Sequence, residues 1–288
     1  MVLIACWKSA GSAVSLATTN SDSLPQNPSD SLANLLHHRD LRGNKYTSGR
    51  LLVDAGSTRY PGAAVLAVGG ARRGGAGYIN YLAREALPTE LILRAYPDVV
   101  PLNPLTDFEV IEKCATVLIG PGSPAATELP NVARLIVDGG ALLLLGKTPS
   151  KGDQILVYTP HEGEAKKMGF DTSDREKCAL SLAKSFNGIA LLKGFESIVA
   201  TPSGILHIDQ IGGSELSTAG TGDVLAGLIA SMIASHQPTT IDSAATIVVN
   251  ALTIFTSAAQ SAITHRAPLV ATDLLDEIPR QLASDTTI

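Results

Sequence analysis

The sequence predicts an α/β fold in which a largely parallel central sheet is covered by helices on both faces, a three-layer α/β/α arrangement. Two observations carry this. Short β-branched or Leu-rich runs alternate with longer helical stretches along most of the chain, and these runs are apolar throughout, as strands buried on both faces must be. The length adds a third: 288 residues can bury a large core, and one α/β domain of this size is ordinary.

In chain order, TTNSDSLPQNPSD (18–30) is rich in residues that favour turns and offer little to a core. Residues 1–30 therefore read as an arm or loop, and 31–288 as the main domain, with regular structure from Ser31 onward. Strands are expected at 50–54, 77–82, 116–119, 141–145, 154–158 and 189–193, each a compact apolar run. The stretch 197–209 reads as a hairpin at one side of the sheet, with strands 197–200 and 205–209. Between and after the strands, helices are expected at 63–74, 105–113, 125–138, 163–168, 173–185, 222–235, 241–264 and 272–283, long enough for the crossovers that parallel strands require. The last third is almost entirely helical, with apolar positions three and four apart, which suits core packing or subunit contact and is compatible with a homo-oligomer. No internal repeat is present.

Composition excludes several classes of function. The chain carries 22 Lys and Arg against 27 Asp and Glu, a net charge of -5, and no basic cluster, so a nucleic-acid partner is not expected. Cys6, Cys114 and Cys178 are far apart and form no CxxC pair, which suggests neither a disulfide framework nor structural zinc and suits the reducing cytoplasm. The start, MVLIACWKSAGSAVSLA, lacks a basic region before its apolar run and is interrupted by Lys8, so no signal peptide is expected. No stretch is expected to span a bilayer. A small-molecule substrate is the remaining expectation.

Four glycine-rich spots compete as phosphate sites. The best is AGTGDVLAG (219–227), where a loop of small residues runs directly into an apolar helix. The unpaired N–H groups of Ala219, Gly220, Thr221 and Gly222 and the positive end of the helix dipole converge there, which suits an anion. Asp223 could simply cap that helix, but a cap does not require two glycines and the hydroxyls of Thr218 and Thr221 beside it. The second spot, GSTRYPG (56–62), links a strand to a helix at the sheet's carboxyl edge, where ligands bind in open α/β sheets. The third, TVLIGPGSPA (116–125), matches a dinucleotide fingerprint, with Asp138 near the distance expected of its acid, but it sits mid-chain and Pro121 removes an N–H donor, leaving a ligand-lining loop as the better reading. The fourth, GALLLLGKT (140–148), has one residue too many for a P-loop, and its four leucines read as a buried strand. Two polar groupings remain. YTPHEGE (158–164) places His161, Glu162 and Glu164 at a strand end, where the acids could also serve only to stabilise a helix N-terminus. Lys193 and Gly194 in LLKG follow another strand, and a Lys near a phosphate acts as a point-charge ligand.

Taken in chain order, GRLLVDAGSTRYPGAA, GGAGY, VLIGPG, TPHEGE, LLKG and AGTGDVLAG resemble the NAD(P)H-hydrate dehydratase family of the ribokinase-like superfamily. The resemblance runs from about Arg39 to the C-terminus. No epimerase domain precedes it in this sequence, so the expectation is the form carrying the dehydratase alone. The family uses ADP or ATP to remove water from nicotinamide nucleotides hydrated at ring carbon six. The resemblance implies that Asp223 takes the proton from the substrate hydroxyl as that hydroxyl attacks the terminal phosphate. It also implies that Ala219, Gly220, Thr221 and Gly222 form the anion hole, and that Lys193, Gly194, His161 and Glu164 lie beside the nucleotide. Gly56, Ser57, Gly62, Ala63, Gly120 and Gly122, again with His161, would face hydrated NADH or NADPH. Mg2+ is expected to bridge the phosphates, with its protein ligands unassigned. Three departures stand out. The family's DADALN, expected after the strand read at ALLLL, is replaced by GKTPSK; GPGLG appears as GPGSP; and a Gly-Asn pair appears as Gly212 and Gly213. These losses motivate an alternative, a small-molecule kinase on the same scaffold that acts on a carbohydrate or vitamin-precursor alcohol.

Overall fold

The computed structural model describes residues 48–123, 128–147 and 154–284; the arm expected at 1–30 and the start of structure expected at Ser31 lie outside the described residues. Among the described residues, nine strands form one sheet: β1 (Arg50–Asp54), β2 (Tyr78–Leu82), β3 (Val100–Leu102), β4 (Thr116–Ile119), β5 (Arg134–Val137), β6 (Ile155–Tyr158), β7 (Ile189–Leu192), β8 (Ile198–Ala200) and β9 (Leu206–Ile208). Their spatial order is β3-β2-β1-β4-β5-β6-β7-β8-β9. All pairs from β3 through β7 are parallel, and β8 and β9 add the antiparallel hairpin at one edge. The order reverses between β1 and β4, so the connections leaving those two strands diverge and open a crevice at the carboxyl edge.

Strand side chains alternate between two cores. Leu51, Val53, Leu118, Ile136, Val157 and Leu191 meet one group of helices: α1 (Pro61–Ala71), α2 (Ala86–Ala95), α6 (Thr221–His236), α7 (Ile241–Ile263) and α8 (Ala271–Ser284). Leu52, Val117, Ile119, Leu135, Leu156 and Leu192 face the opposite side, covered by α3 (Phe108–Glu112), α4 (Glu162–Lys167) and α5 (Arg175–Phe186). Since successive residues of a strand point to opposite faces, uniformly apolar runs are what a three-layer sandwich demands.

The structure corrects the strand at 141–145 and the helix at 125–138. Arg134–Val137 is strand β5, and Gly139–Leu144 is a 3-10 helix in which Ala141 and Leu142 are buried while Leu143 is half exposed. The apolar run RLIV sits between Thr116–Ile119 and Ile155–Tyr158 in the sheet, and the pairing available there outweighs local helical preference. Strand β3 and helix α2 escaped the sequence reading because each contains a proline, Pro101 and Pro88. β3 is an edge strand and Pro88 lies in a first helical turn, the two settings where a missing N–H costs little.

The expectation that no stretch could span a bilayer also needs correction. Helix α7 is long and apolar enough by length and composition. Here it is a core helix, with Ala244, Val248, Ala251, Ala258 and Ala262 buried against its neighbours. Close packing of small residues recurs between α1 and α6: a Cβ on Gly227 would fall 1.9 Å from Ala67 O, and one on Gly70 2.1 Å from Val224 O. These approaches bring the N-terminus of α6 to the carboxyl edge of the sheet.

Candidate active site

Helix α6 begins with Gly220 as N-cap, at φ 92°, a conformation favouring glycine; a Cβ there would also lie 2.3 Å from Leu66 Cδ1. Asp223 is therefore not the cap but the third residue of the first turn. The first helical bond runs from Val224 N to Gly220 O, so the N–H groups of Thr221, Gly222 and Asp223 precede the ladder, as an anion site requires. The Thr221 hydroxyl turns inward and donates to Leu216 O and Thr218 O, each at 2.9 Å. It ties the loop, and only the backbone of Thr221 is offered outward.

Beside this turn lies an ion pair. Lys193, just past β7, places Nζ 2.7 Å from Asp138 Oδ1, just past β5; their side chains are 18% and 4% exposed. A Cβ on Gly222 would come 3.3 Å from the same Nζ, so Gly222 leaves room for the ammonium at the helix start. Thr159 Oγ1 donates to Asp138 Oδ1 at 2.7 Å. Burial pushes the Asp223 carboxyl up to about 7; Asp138 and Glu164 push it further in the same direction, and Lys193 opposes them. For Lys193, burial works against its charge, but the attraction of Asp138, Glu164 and Asp223 outweighs it and raises its pKa.

His161 and Glu164 cap α4 reciprocally: Glu164 N donates to His161 Nδ1 at 3.2 Å, and His161 N donates to a Glu164 carboxylate oxygen at 2.8 Å. Helix capping is thus their local role, and the Glu164 charge still acts on both Lys193 and Asp223. Lys193 N donates to Pro160 O at 2.8 Å, which sets the 161–164 segment next to the lysine.

On the other side, the loops after β1 and β4 pack on one another. Gly56 N donates to Pro121 O at 2.6 Å, Ser57 Oγ donates to Gly122 O at 2.9 Å, and a Cβ on Gly122 would meet Ala63 Cβ at 2.4 Å. Gly120, at φ 114°, abuts Asp138, whose carbonyl oxygen would lie 1.9 Å from an added Cβ. A continuous run of contacts therefore leads from Ser57 and Gly122 through Gly120 to Asp138, Lys193 and Gly222. Gly62 stands apart: it is exposed, with nothing within 4 Å of an added Cβ.

Thr159 was missed in the sequence, and Asp138 was noticed only as the acid of a dinucleotide fingerprint, not as a residue of this site. The signal was present in RLIVDGG, a compact apolar run closed by Asp-Gly, which is how a strand ends in a turn. With β5 placed at 134–137, the motif expected as DADALN begins at Asp138, followed by Gly139, Gly140, Ala141 and Leu142. Its first acid is present, not lost. Gly140 and Leu143 still stand where the motif has its second acid and its amide, so this departure, one reason for the kinase alternative, is smaller than expected but not removed.

The parallel sheet with a reversal between β1 and β4, an edge hairpin and a helix start over the carboxyl edge define a ribokinase-like α/β fold. A ribokinase-like superfamily protein from Enterococcus faecalis shares it, with a TM-score of 0.78 over 93% of this chain and 100% of that one at 19% identity. Within that class the chain belongs to the NAD(P)H-hydrate dehydratase family, whose model matches residues 51–280. It is 31% identical over 275 residues to the bifunctional NAD(P)H-hydrate repair enzyme Nnr of Salinibacter ruber, covering 85% of this chain and 50% of that protein. It is 30% identical over 226 residues to the ADP-dependent (S)-NAD(P)H-hydrate dehydratase of Bacillus subtilis, covering 70% and 78%. The chain spans about half the length of the bifunctional relatives. The crystal structure of the Bacillus subtilis ADP/ATP-dependent enzyme, co-crystallized with ATP and Mg2+, matches with a TM-score of 0.76 at 25% identity, over 89% of this chain and 97% of that one.

Proposed function

We propose that this chain removes water from hydrated NADH or NADPH, using ADP or ATP. The observation that carries this reading is Asp223 in the first turn of α6, among unpaired N–H groups and beside Lys193. The terminal phosphate of the nucleotide sits against the Gly220–Gly222 backbone, where the N–H groups and the helix dipole favour negative charge. Lys193 supplies a compact cation that Asp138 aims at the same place. Asp223, ionised above about pH 7, accepts the proton of the substrate hydroxyl as its oxygen bonds to phosphorus and the bond to the leaving nucleotide breaks. The phosphorylated oxygen then departs from ring carbon six as phosphate, and loss of a proton from the neighbouring ring carbon restores the double bond. The substrate lies over Ser57, Gly120 and Gly122, in the crevice between the loops after β1 and β4.

Among the described residues, no three His, Cys, Asp or Glu side chains stand close enough to form a metal cage. Mg2+ keeps several waters and binds through phosphates and one or two carboxylates, and Glu164, whose charge acts on both Lys193 and Asp223, is a carboxylate that would hold it here. When bound, the ion neutralises phosphate charge. A reducing cytoplasm suits Cys114 and Cys178, which are buried and unpaired. The test is to incubate hydrated NADH with the protein and either nucleotide and follow the NADH absorbance. Recovery, with one phosphate released per NADH, is expected; no recovery with either nucleotide overturns the reading, and a stable phosphorylated product would favour the kinase instead.

A further inference from the structure

The two segments proposed to flank the nucleotide, 161–164 and 193–194, leave different strands, β6 and β7, and something must fix them relative to each other. At their base the backbone does so, through Lys193 N to Pro160 O and a parallel bridge between His161 and Lys193. Beyond that point the strands have ended. There the side chain of Arg175, the first residue of α5, takes over: Nη1 donates to Glu162 Oε1 and Nη2 donates to Glu196 O at 2.7 Å. The guanidinium also lies over Gly194. A Cβ at that position would fall 2.2 Å from Nη1, 2.4 Å from Nη2 and 2.7 Å from Cζ. Gly194 is absent from the glycines of positive φ, so its backbone does not call for glycine. The glycine of LLKG answers to the arginine above it.

Fold stability does not account for this arrangement. Arg175 and Glu162 are 27% and 42% exposed, and ion pairs so placed contribute little to stability. Their effect is geometric. A planar fork can reach two acceptors on two segments while its face covers a third residue, which a lysine cannot do. Otherwise the 194–197 turn is held by long bonds between Ser197 Oγ and the Gly194 backbone at 3.3 and 3.4 Å, and at its far end by Asp209 N donating to Ser197 O at 2.9 Å.

We infer that Arg175 is a positioning residue for the nucleotide site, clamping the 194–196 turn to Glu162 so that Lys193 stays aimed at Gly222. The inference rests on the proposed function, so the closing experiment reads ADP binding separately from turnover, in the full chain. Arg175→Ala should weaken ADP binding and raise the KM for ADP about tenfold, with kcat within about twofold and the melting temperature within about 3 °C. Arg175→Lys should stay within about threefold of the alanine variant, because one ammonium cannot replace the fork. Gly194→Ala should weaken ADP binding in the wild-type background by displacing the guanidinium, and should weaken it clearly less in Arg175→Ala, where that clash is gone. Wild-type ADP affinity in Arg175→Ala would overturn the inference, as would kcat, affinity and melting temperature all falling together. Independent, multiplying effects of the two substitutions would also overturn it. Each of these leaves the proposed function standing, whereas a wild-type chain that neither binds ADP nor turns over hydrate removes both.

Discussion

Replacing Asp223 by Asn should abolish turnover and, at the same time, make the folded protein more stable at neutral and alkaline pH. The carboxyl is pushed up to about 7 from an ordinary 3.8, chiefly because burial penalises its charge. At about 1.4 kcal/mol per pKa unit, ionising it in the folded state costs roughly 4 kcal/mol relative to the unfolded chain. The sign follows from proton counting. Between pH 3.8 and 7 the folded state holds a proton that the unfolded state has released, so this group's contribution to stability falls as pH rises and levels off above 7. Asn does not titrate, and every other ionisable group is common to both proteins. The variant should therefore exceed the wild type by roughly 1.5 kcal/mol at pH 5 and by roughly 3–4 kcal/mol at pH 8. Urea unfolding of both proteins at pH 5, 6 and 8 measures the gap, and the hydrate assay measures activity on the same samples. A gap that does not widen with pH refutes the burial argument; an active variant refutes the assignment of the base. In the wild type, kcat/KM should climb through pH 7 from the acid side and then level off, because the base must be ionised to act.

Three further outcomes follow from the packing. Lys193→Ala leaves the buried Asp138 carboxylate without its cation; a loss of about 3 kcal/mol in denaturant unfolding is expected, together with weaker ADP binding, and a variant as stable as wild type would contradict the pair's role. Gly227→Ala drives a Cβ to within 1.9 Å of Ala67 O and must separate α1 from α6, so a destabilisation of about 3 kcal/mol is expected by thermal unfolding; an unchanged melting curve would mean the two helices part without strain. Gly62→Ala and Gly120→Ala should behave oppositely. The first meets nothing and should leave melting and activity near wild type, while the second combines a left-handed φ with a carbonyl oxygen 1.9 Å away and should lose both; equal behaviour in the two would overturn this distinction.

Much of the site was legible because its chemistry is local. A loop of small residues running into an apolar helix leaves N–H groups free at the helix start, and Gly220, Gly222 and Asp223 do stand at such a start. Lys193 was legible as a charge just beyond a buried strand. Asp138 was not, since its meaning depends on which neighbouring run is the strand. RLIV and ALLLL are both short and apolar, and periodicity does not separate a short buried strand from a helical turn. Thr221 shows the converse: its hydroxyl counted in the sequence as a sign of function, but it serves the loop that precedes the helix. Arg175 left no signal at all, because its three contacts, Glu162, Gly194 and Glu196, come from two other connections of the chain.

What the sequence determined by itself is therefore the layered α/β architecture, the parallel course of most strands and the place of the glycine turn that opens helix α6, all of which follow from short-range pattern and from the burial of apolar faces. Only the tertiary structure decided that Asp138 meets Lys193, that Gly194 makes room for Arg175 and that the apolar helix α7 lies in the core. These depend on strand order and helix spacing, which bring together residues tens of positions apart. AGTGDVLAG could be read alone, but its neighbours could be known only once the sheet had been assembled around it.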